Sequence, residues 1–135
     1  MERTLILIKP DGVERKLIGE IISFYERKDL NIIAMKMIKA DKQTAERHYE
    51  EHKDRPYFEN LINYITEERL CALVIEGDNI IEIVRKINGD KDPVKVDMGS
   101  IRGKFSCHKT RNLVHASDSI ENANREIGIW FPELI

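Results

Sequence analysis

LCALVIEG, residues 70–77, is a short, nearly continuous apolar run closed by a glycine, and such a run reads as a strand. Three further segments share that reading. TLILIK (4–9) is aliphatic and ends at Pro10, NIIAMKMIKA (31–40) alternates from Ala34 to Lys39, and RNLVHA (111–116) carries the weakest pattern. Helical patterns lie between them. Residues 17–28 place Ile18, Ile21, Ile22 and Tyr25 on one face, and residues 79–88 repeat this with Ile80, Ile83, Val84 and Ile87 before Gly89. Asp41 is placed to cap a helix whose Ala45, His48, Tyr49 and His52 fall at i, i+3, i+4 and i+7. Asp118 and Glu121 form a D-x-x-E capping pair, opening a last helix with Ile120, Ala123 and Ile127 that Gly128 closes.

The order is β-α-β-α-β-α-β-α. It is compatible with a split β-α-β, ferredoxin-like α/β arrangement with an antiparallel four-stranded sheet and added helices. A doubly wound parallel sheet also alternates strands and helices, and pattern alone leaves both topologies open.

The chain has 135 residues, which suggests one domain over 1–135. With 41% apolar and 34% charged residues it has the composition of a globular protein. A formal net charge of −2 argues against a protein built to coat nucleic acid or an acidic membrane. Cys71 and Cys107 lie far apart with no C-x-x-C pair, so neither a disulfide framework nor a zinc knuckle is signalled. The apolar stretch behind Met1 is too short for a signal-peptide core or a membrane span. A cytoplasmic protein is expected.

No G-x-x-x-x-G-K-[ST] and no G-x-G-x-x-G occurs, so a nucleotide would have to bind without a glycine-rich phosphate loop. KPDG (9–12) sets Lys9 at the end of the first strand, before a Pro-Asp-Gly turn. A lysine fixed there is a point charge suited to phosphate, although most such lysines face water. HYEEH (48–52) fits H-x-x-E-H, in which two histidines on one helix face bind zinc. Such patterns arise easily by chance, and the ordinary reading is an amphipathic helix with Tyr49 turned inward. DRPYFENL (54–61) starts another helix at Arg55-Pro56. One of Tyr57 and Phe58 should enter the core, and the other is free to stack on a base. GSIRGK (99–104) reads as a loop carrying Arg102; with Arg85 and Lys9 it makes a phosphate clamp, unless Arg85 is simply a solvated charge. His115 stands at a strand end before a helix N-terminus that favours an anion. A neutral imidazole is nucleophilic near physiological pH, best when its other nitrogen is held by an acceptor such as Glu126.

KPDGVERKLIGEII (9–22), HYEEHKDRPYFENL (48–61), SIRGKF (100–105) and NLVHASDSIENANREI (112–127) together resemble the nucleoside diphosphate kinase family, in order and over nearly the whole chain. The resemblance implies a ferredoxin-like fold and a homo-oligomer of four or six chains. It also implies transfer of the γ-phosphate of ATP or another nucleoside triphosphate to a nucleoside diphosphate through a phosphohistidine. His115 matches the catalytic histidine. Lys9, Arg85, Arg102 and Asn112 match nucleotide-contacting positions, with Asn112 near the sugar. Tyr57 falls at the base-stacking aromatic, and Lys91 stands where the family usually has a phosphate-contacting threonine. Tyr49 and Glu126 match supporting positions, near the lysine and the histidine respectively. Magnesium is implied as arriving with the nucleotide, with no metal held by the protein alone, and neither nucleic acid nor membrane is an expected partner.

The chain also departs from the family. Ala116 replaces the glycine after the histidine, and because alanine tolerates fewer backbone angles, a slight shift of His115 is the expected consequence. Met98 stands where proline is common, in a loop that usually makes subunit contacts. The departures at Ala116 and Lys91 motivate an alternative: a nucleotide- or nucleic-acid-binding module that keeps the fold without efficient catalysis. An RNA-recognition module is less well supported, because RGKFSCHK (102–109) matches that signature only at its first two positions.

Overall fold

A computed structural model describes all 135 residues. Strands β1 (Glu2–Ile8), β2 (Asn31–Ile38), β3 (Leu70–Gly77) and β4 (Val114–Ala116) form one sheet in the order β2-β3-β1-β4. Every neighbouring pair is antiparallel. β1 and β2 therefore run in the same direction with β3 between them, and β3 and β4 do so with β1 between them. This is the split β-α-β arrangement, and it rules out the doubly wound parallel sheet.

The helices are α1 (Pro10–Glu14), α2 (Ile18–Arg27), α3 (Lys42–His48), α4 (Phe58–Thr66), α5 (Ile80–Asn88), α6 (Ile101–Phe105) and α7 (Ile120–Trp130). They cover the sheet on both faces, which explains the unbroken apolar run of β3. Successive residues of a strand point to opposite faces. Cys71, Leu73 and Ile75 join Ile6 and Ile8 in a core with α2 and α5. Leu70, Ala72 and Val74 join Leu5 and Leu7 in a second core with α3, α4 and α7. At the sheet edge, β2 alternates between exposed and half-buried residues, with a register irregularity between Ile32 and Ala34.

Four local readings need correction. The KPDG turn is the first turn of α1, because proline suits the first helical position and Lys9 takes the extended N-cap conformation. The GSIRGK loop contains α6, capped by Ser100 Oγ, which accepts from Gly103 N at 3.0 Å. The helix expected at Arg55-Pro56 starts only at Phe58. The cap of α7 is Ser119, not Asp118: Ser119 is fully extended and its Oγ accepts from Asn122 N at 3.1 Å, while Asp118 Oδ1 accepts from the Asn122 side chain. The cap at Asp41 stands as expected, accepting from Thr44 N at 2.7 Å.

Gly103 is where α6 demands glycine. A Cβ there would stand 1.9 Å from the Asp97 carbonyl oxygen, which already accepts from the backbone N and the hydroxyl of Ser100. That backbone has no cheap way to retreat. Gly103→Ala is expected to cost about 2–3 kcal/mol, read as a fall of several degrees in Tm by calorimetry. An unchanged Tm would mean that the 97–100 segment yields freely.

Candidate functional site

A cleft of about 1020 Å3 opens beside the end of β1, β4 and α5. All nine side chains singled out from the sequence line it: Lys9, Tyr49, Tyr57, Arg85, Lys91, Arg102, Asn112, His115 and Glu126.

Its floor is set where β1 ends and β4 begins. Leu113 has φ +77°, in the left-handed region, which is uncommon for a branched side chain. Asp11 holds it there. Its Oδ2 accepts from Leu113 N at 3.1 Å, and its Oδ1 accepts from the Tyr64 hydroxyl. Lys9 N donates to the Leu113 carbonyl at 2.8 Å. The segments that carry the lysine and the histidine are thus joined through Leu113, by the Lys9 backbone and by the Asp11 carboxylate. The Lys9 ammonium stands 5.2 Å over the Tyr64 ring, and the Arg111 guanidinium also lies against that ring, at 4.7 Å. Burial, then the Arg102 charge, pull the Lys9 pKa down to about 7, with Asp11 opposing and Lys91 and Arg111 reinforcing.

His115 lies on β4 with its Nε2 3.1 Å from Glu126 Oε1. The Ser117 hydroxyl donates to the same oxygen at 2.6 Å and accepts from Leu5 N at 3.1 Å, tying the carboxylate to β1. Burial by itself would raise the Glu126 pKa, but the charge and hydrogen bond of His115, with Ser117, outweigh it and hold the carboxyl at about 2. An ionised carboxylate only accepts, so Nε2 carries the ring proton and Nδ1 keeps a free lone pair. Ala116 is in β4, paired with Ile6, and has no positive φ. The freedom of glycine is not needed at this position.

Arg102 is buried, and its guanidinium donates to the carbonyls of Gly89, Asn112 and Val114. Burial lowers its pKa to about 10. Asn112 is also buried, with Nδ2 donating to the Lys109 carbonyl at 2.6 Å. Arg85 extends from α5 exposed, and Lys91 follows two residues after Gly89. Burial followed by the Arg102 and Arg85 charges lowers the Lys91 pKa, against Asp118. Tyr57 stands at the rim, 44% exposed, while Phe58 packs into the second core. Burial, then the Glu126 charge, push the Tyr49 phenol up.

The H-x-x-E-H reading fails on geometry. α3 ends at His48, and Glu50–His52 forms a separate 3-10 turn. His52 Nδ1 lies 2.9 Å from the Tyr57 hydroxyl, whereas His48 is buried with its Nδ1 accepting from Trp130 Nε1 at 3.0 Å. A different trio, His48, His115 and Glu126, brings its donor atoms within 4.8 Å of one another. It makes a poor metal set by donor chemistry: the lone pair of His48 is spent on Trp130, and Glu126 Oε1 already takes two hydrogen bonds.

Sequence reading missed Asp11 and Tyr64, the role of Ser117 as donor to Glu126, and the His48–Trp130 pair. Asp11 and Ser117 sit inside the quoted motifs. Tyr64 and Trp130 occupy helix positions whose period marks them only as core.

The chain matches known proteins over nearly its whole length. The model of the family described as nucleoside diphosphate kinase matches residues 2–134. The nucleoside diphosphate kinase of Corynebacterium diphtheriae is 57% identical over 134 residues, covering 98% of this chain and 98% of that protein. That of Ignicoccus hospitalis is 53% identical over 131 residues, covering 97% and 89%. Among solved structures, a nucleoside diphosphate kinase family protein from Babesia bovis is 45% identical with a TM-score of 0.95, covering 98% of this chain and 90% of the other. The nucleoside diphosphate kinase of Encephalitozoon cuniculi is 35% identical with a TM-score of 0.94, covering 97% and 89%.

Proposed function

We propose, from the premise that this chain belongs to the nucleoside diphosphate kinase family, that it moves the γ-phosphate of ATP or another nucleoside triphosphate to a nucleoside diphosphate through a phosphohistidine at His115. Membership makes the chain a nucleotide-binding phosphotransferase. The histidine route is carried by one observation: Glu126 holds Nε2 and leaves Nδ1 free.

In the first half-reaction the Nδ1 lone pair attacks the γ-phosphorus in line. The bond from that phosphorus to the bridging β-phosphate oxygen breaks, and its electron pair leaves with the nucleoside diphosphate. The Nε2 proton stays shared with Glu126, which offsets positive charge growing on the ring. A second diphosphate reverses these steps. The transferring group spreads negative charge over its oxygens, so fixed positive charge is the main catalytic resource. Lys9, Arg85, Lys91 and Arg102 supply it. Arg102 is already held by three carbonyls, so its charge needs no reorganisation. Tyr57 stacks on the base, which suits a site that accepts many bases because stacking discriminates little. Asn112 faces the sugar, and Tyr49 supports Lys9.

The donor set fits magnesium that arrives on the nucleotide: Glu126 is engaged, the wall is basic, and the phosphate oxygens are the hard ligands available. Bound there, the ion neutralises phosphate charge.

Incubation with magnesium and γ-labelled ATP tests the route. The expected result is an acid-labile, alkali-stable phosphate on the chain that unlabelled diphosphate removes. Nucleotide binding without label would sink the phosphohistidine and favour the binding module.

The proposal extends to a single domain over 1–135, to a cytoplasmic location, and to a homo-oligomer of four or six chains. No helix is long and apolar enough to cross a membrane. The free edge of β2 supports self-association, since Ile33, Met35 and Met37 are exposed on a strand with one unpaired edge, and such an edge can pair with its own copy about a two-fold axis. Met35→Lys is expected to shift the sedimentation coefficient towards smaller species. An unmoved coefficient would assign the contact to another surface.

A further inference from the structure

His48 is the buried titratable group that the proposed phosphohistidine route leaves unused. It ends α3 at 3% exposure, edge-to-face with His115 at 4.5 Å between ring centroids. Trp130 Nε1–H can only donate, and it donates to His48 Nδ1 at 3.0 Å. Nδ1 is therefore unprotonated. Burial, with the neighbouring His115, drives the pKa of the ring well below its usual value, so the ring is neutral and its one proton sits on Nε2. No protein acceptor takes that proton. Thr4 Oγ1 and Asn88 Nδ2 are the sealed side-chain atoms without a partner. His48 Nε2 is not among them, and His48 lines the cleft, so its N–H opens there. A nitrogen of His48 lies within 4.8 Å of a nitrogen of His115.

We propose that His48 Nε2–H donates a hydrogen bond to the phosphoryl group in transit to and from His115 Nδ1, and that Trp130 holds His48 in the tautomer that makes it a donor. The inference rests on the histidine route proposed above. During transfer the N–P bond forms as the P–O bond breaks, and the His48 proton stays on Nε2 throughout. A neutral donor has a particular use beside a nucleophile. A protonated His48 would repel positive charge growing on the attacking ring, whereas a neutral N–H stabilises the phosphoryl oxygens without opposing that charge. Trp130 comes from α7, the helix that also supplies Glu126, so one helix sets the tautomers of both histidines.

The test joins rapid-quench phosphorylation by magnesium ATP to nitrogen NMR of the wild-type protein. NMR should show His48 with an unprotonated Nδ1 and a proton on Nε2 that shifts when His115 is phosphorylated. His48→Phe should slow phosphorylation roughly 10- to 100-fold with the dissociation constant for ADP unchanged. His48→Gln, which restores an N–H, should recover most of that rate, and Trp130→Phe should leave His48 as a mixture of tautomers. A proton on Nδ1 overturns the proposal without recourse to any variant. So does phosphorylation of folded His48→Phe at the wild-type rate, or His48→Gln as slow as His48→Phe. Wild-type protein that binds ADP but takes no phosphate overturns the histidine route itself, and the role of His48 with it.

Discussion

His115→Ala is expected to take no label from γ-labelled ATP and to lose at least about 10,000-fold in turnover, equivalent to about 5.5 kcal/mol of transition-state stabilisation. Nothing in the cleft replaces the nucleophile. His48 has its lone pair on Trp130, His52 lies against Tyr57 at the rim, and the Lys9 ammonium sits over the Tyr64 ring of α4. Nucleotide affinity should change only a few-fold, because the charges and the aromatic proposed to hold the substrate are untouched. Stability should also hold. Ser117 still donates to Glu126, and the half-buried imidazole contributes little core packing. An inactive variant that binds ADP normally and melts near the wild type separates loss of chemistry from loss of structure. Label on His115→Ala would require another nucleophile and would end the assignment.

Much of the candidate site is legible through the family resemblance, because its side chains sit in contiguous motifs that carry that resemblance, whereas caps, prolines and glycines alone mark only Lys9, Tyr57, Arg102 and His115. Pattern alone leaves the topology open, and it is the family resemblance that implies the ferredoxin-like sheet. A period of two locates a strand but carries no direction, so periodicity cannot supply the antiparallel pairing or the β2-β3-β1-β4 order. β3 illustrates the loss: helices on both faces erase alternation. β4 is weak in sequence for a local reason. Leu113 is left-handed and only three residues follow in the strand, so the pairing of His115 depends on Asp11, which lies 102 residues away from Leu113. The helix expected to run through HYEEH breaks instead: α3 stops at the first residue of that stretch and sends the two histidines to different partners. The feared effect of Ala116 came from residue type alone, and the extended backbone of β4 accepts any residue there.

The second large effect belongs to Lys9. Lys9→Met keeps the length of the side chain and removes its charge, and it should lower kcat/KM by about 100- to 1000-fold. The pH dependence gives the sharper check. Burial and the Arg102, Lys91 and Arg111 charges hold Lys9 at about 7, against 10.5 when it is free in solution. Below pH 7 both folded and unfolded chains carry the proton, and the folded state bears the full cost of a buried, repelled charge. Between pH 7 and 10.5 the unfolded chain keeps the proton that the folded chain has released, so this group makes the empty protein more stable as pH rises across that window. Phosphate reverses the balance by favouring the charged form. ADP binding at pH 8 should therefore take up protons, seen as a binding enthalpy that varies with the ionisation enthalpy of the buffer, and KM should rise with pH above 7. Lys91, which is lowered by the same causes, adds in the same direction. Lys9→Met isolates the larger share: its proton uptake should fall to the part owed to Lys91. Lys9→Arg should bind with only the pH dependence owed to Lys91, since a guanidinium stays charged, but with poorer transfer because a planar fork does not reproduce a point charge. Equal proton uptake by wild type and Lys9→Met would mean that Lys9 is already fully charged in the empty cleft, and its burial beside Arg102 would then set affinity but no part of the pH response.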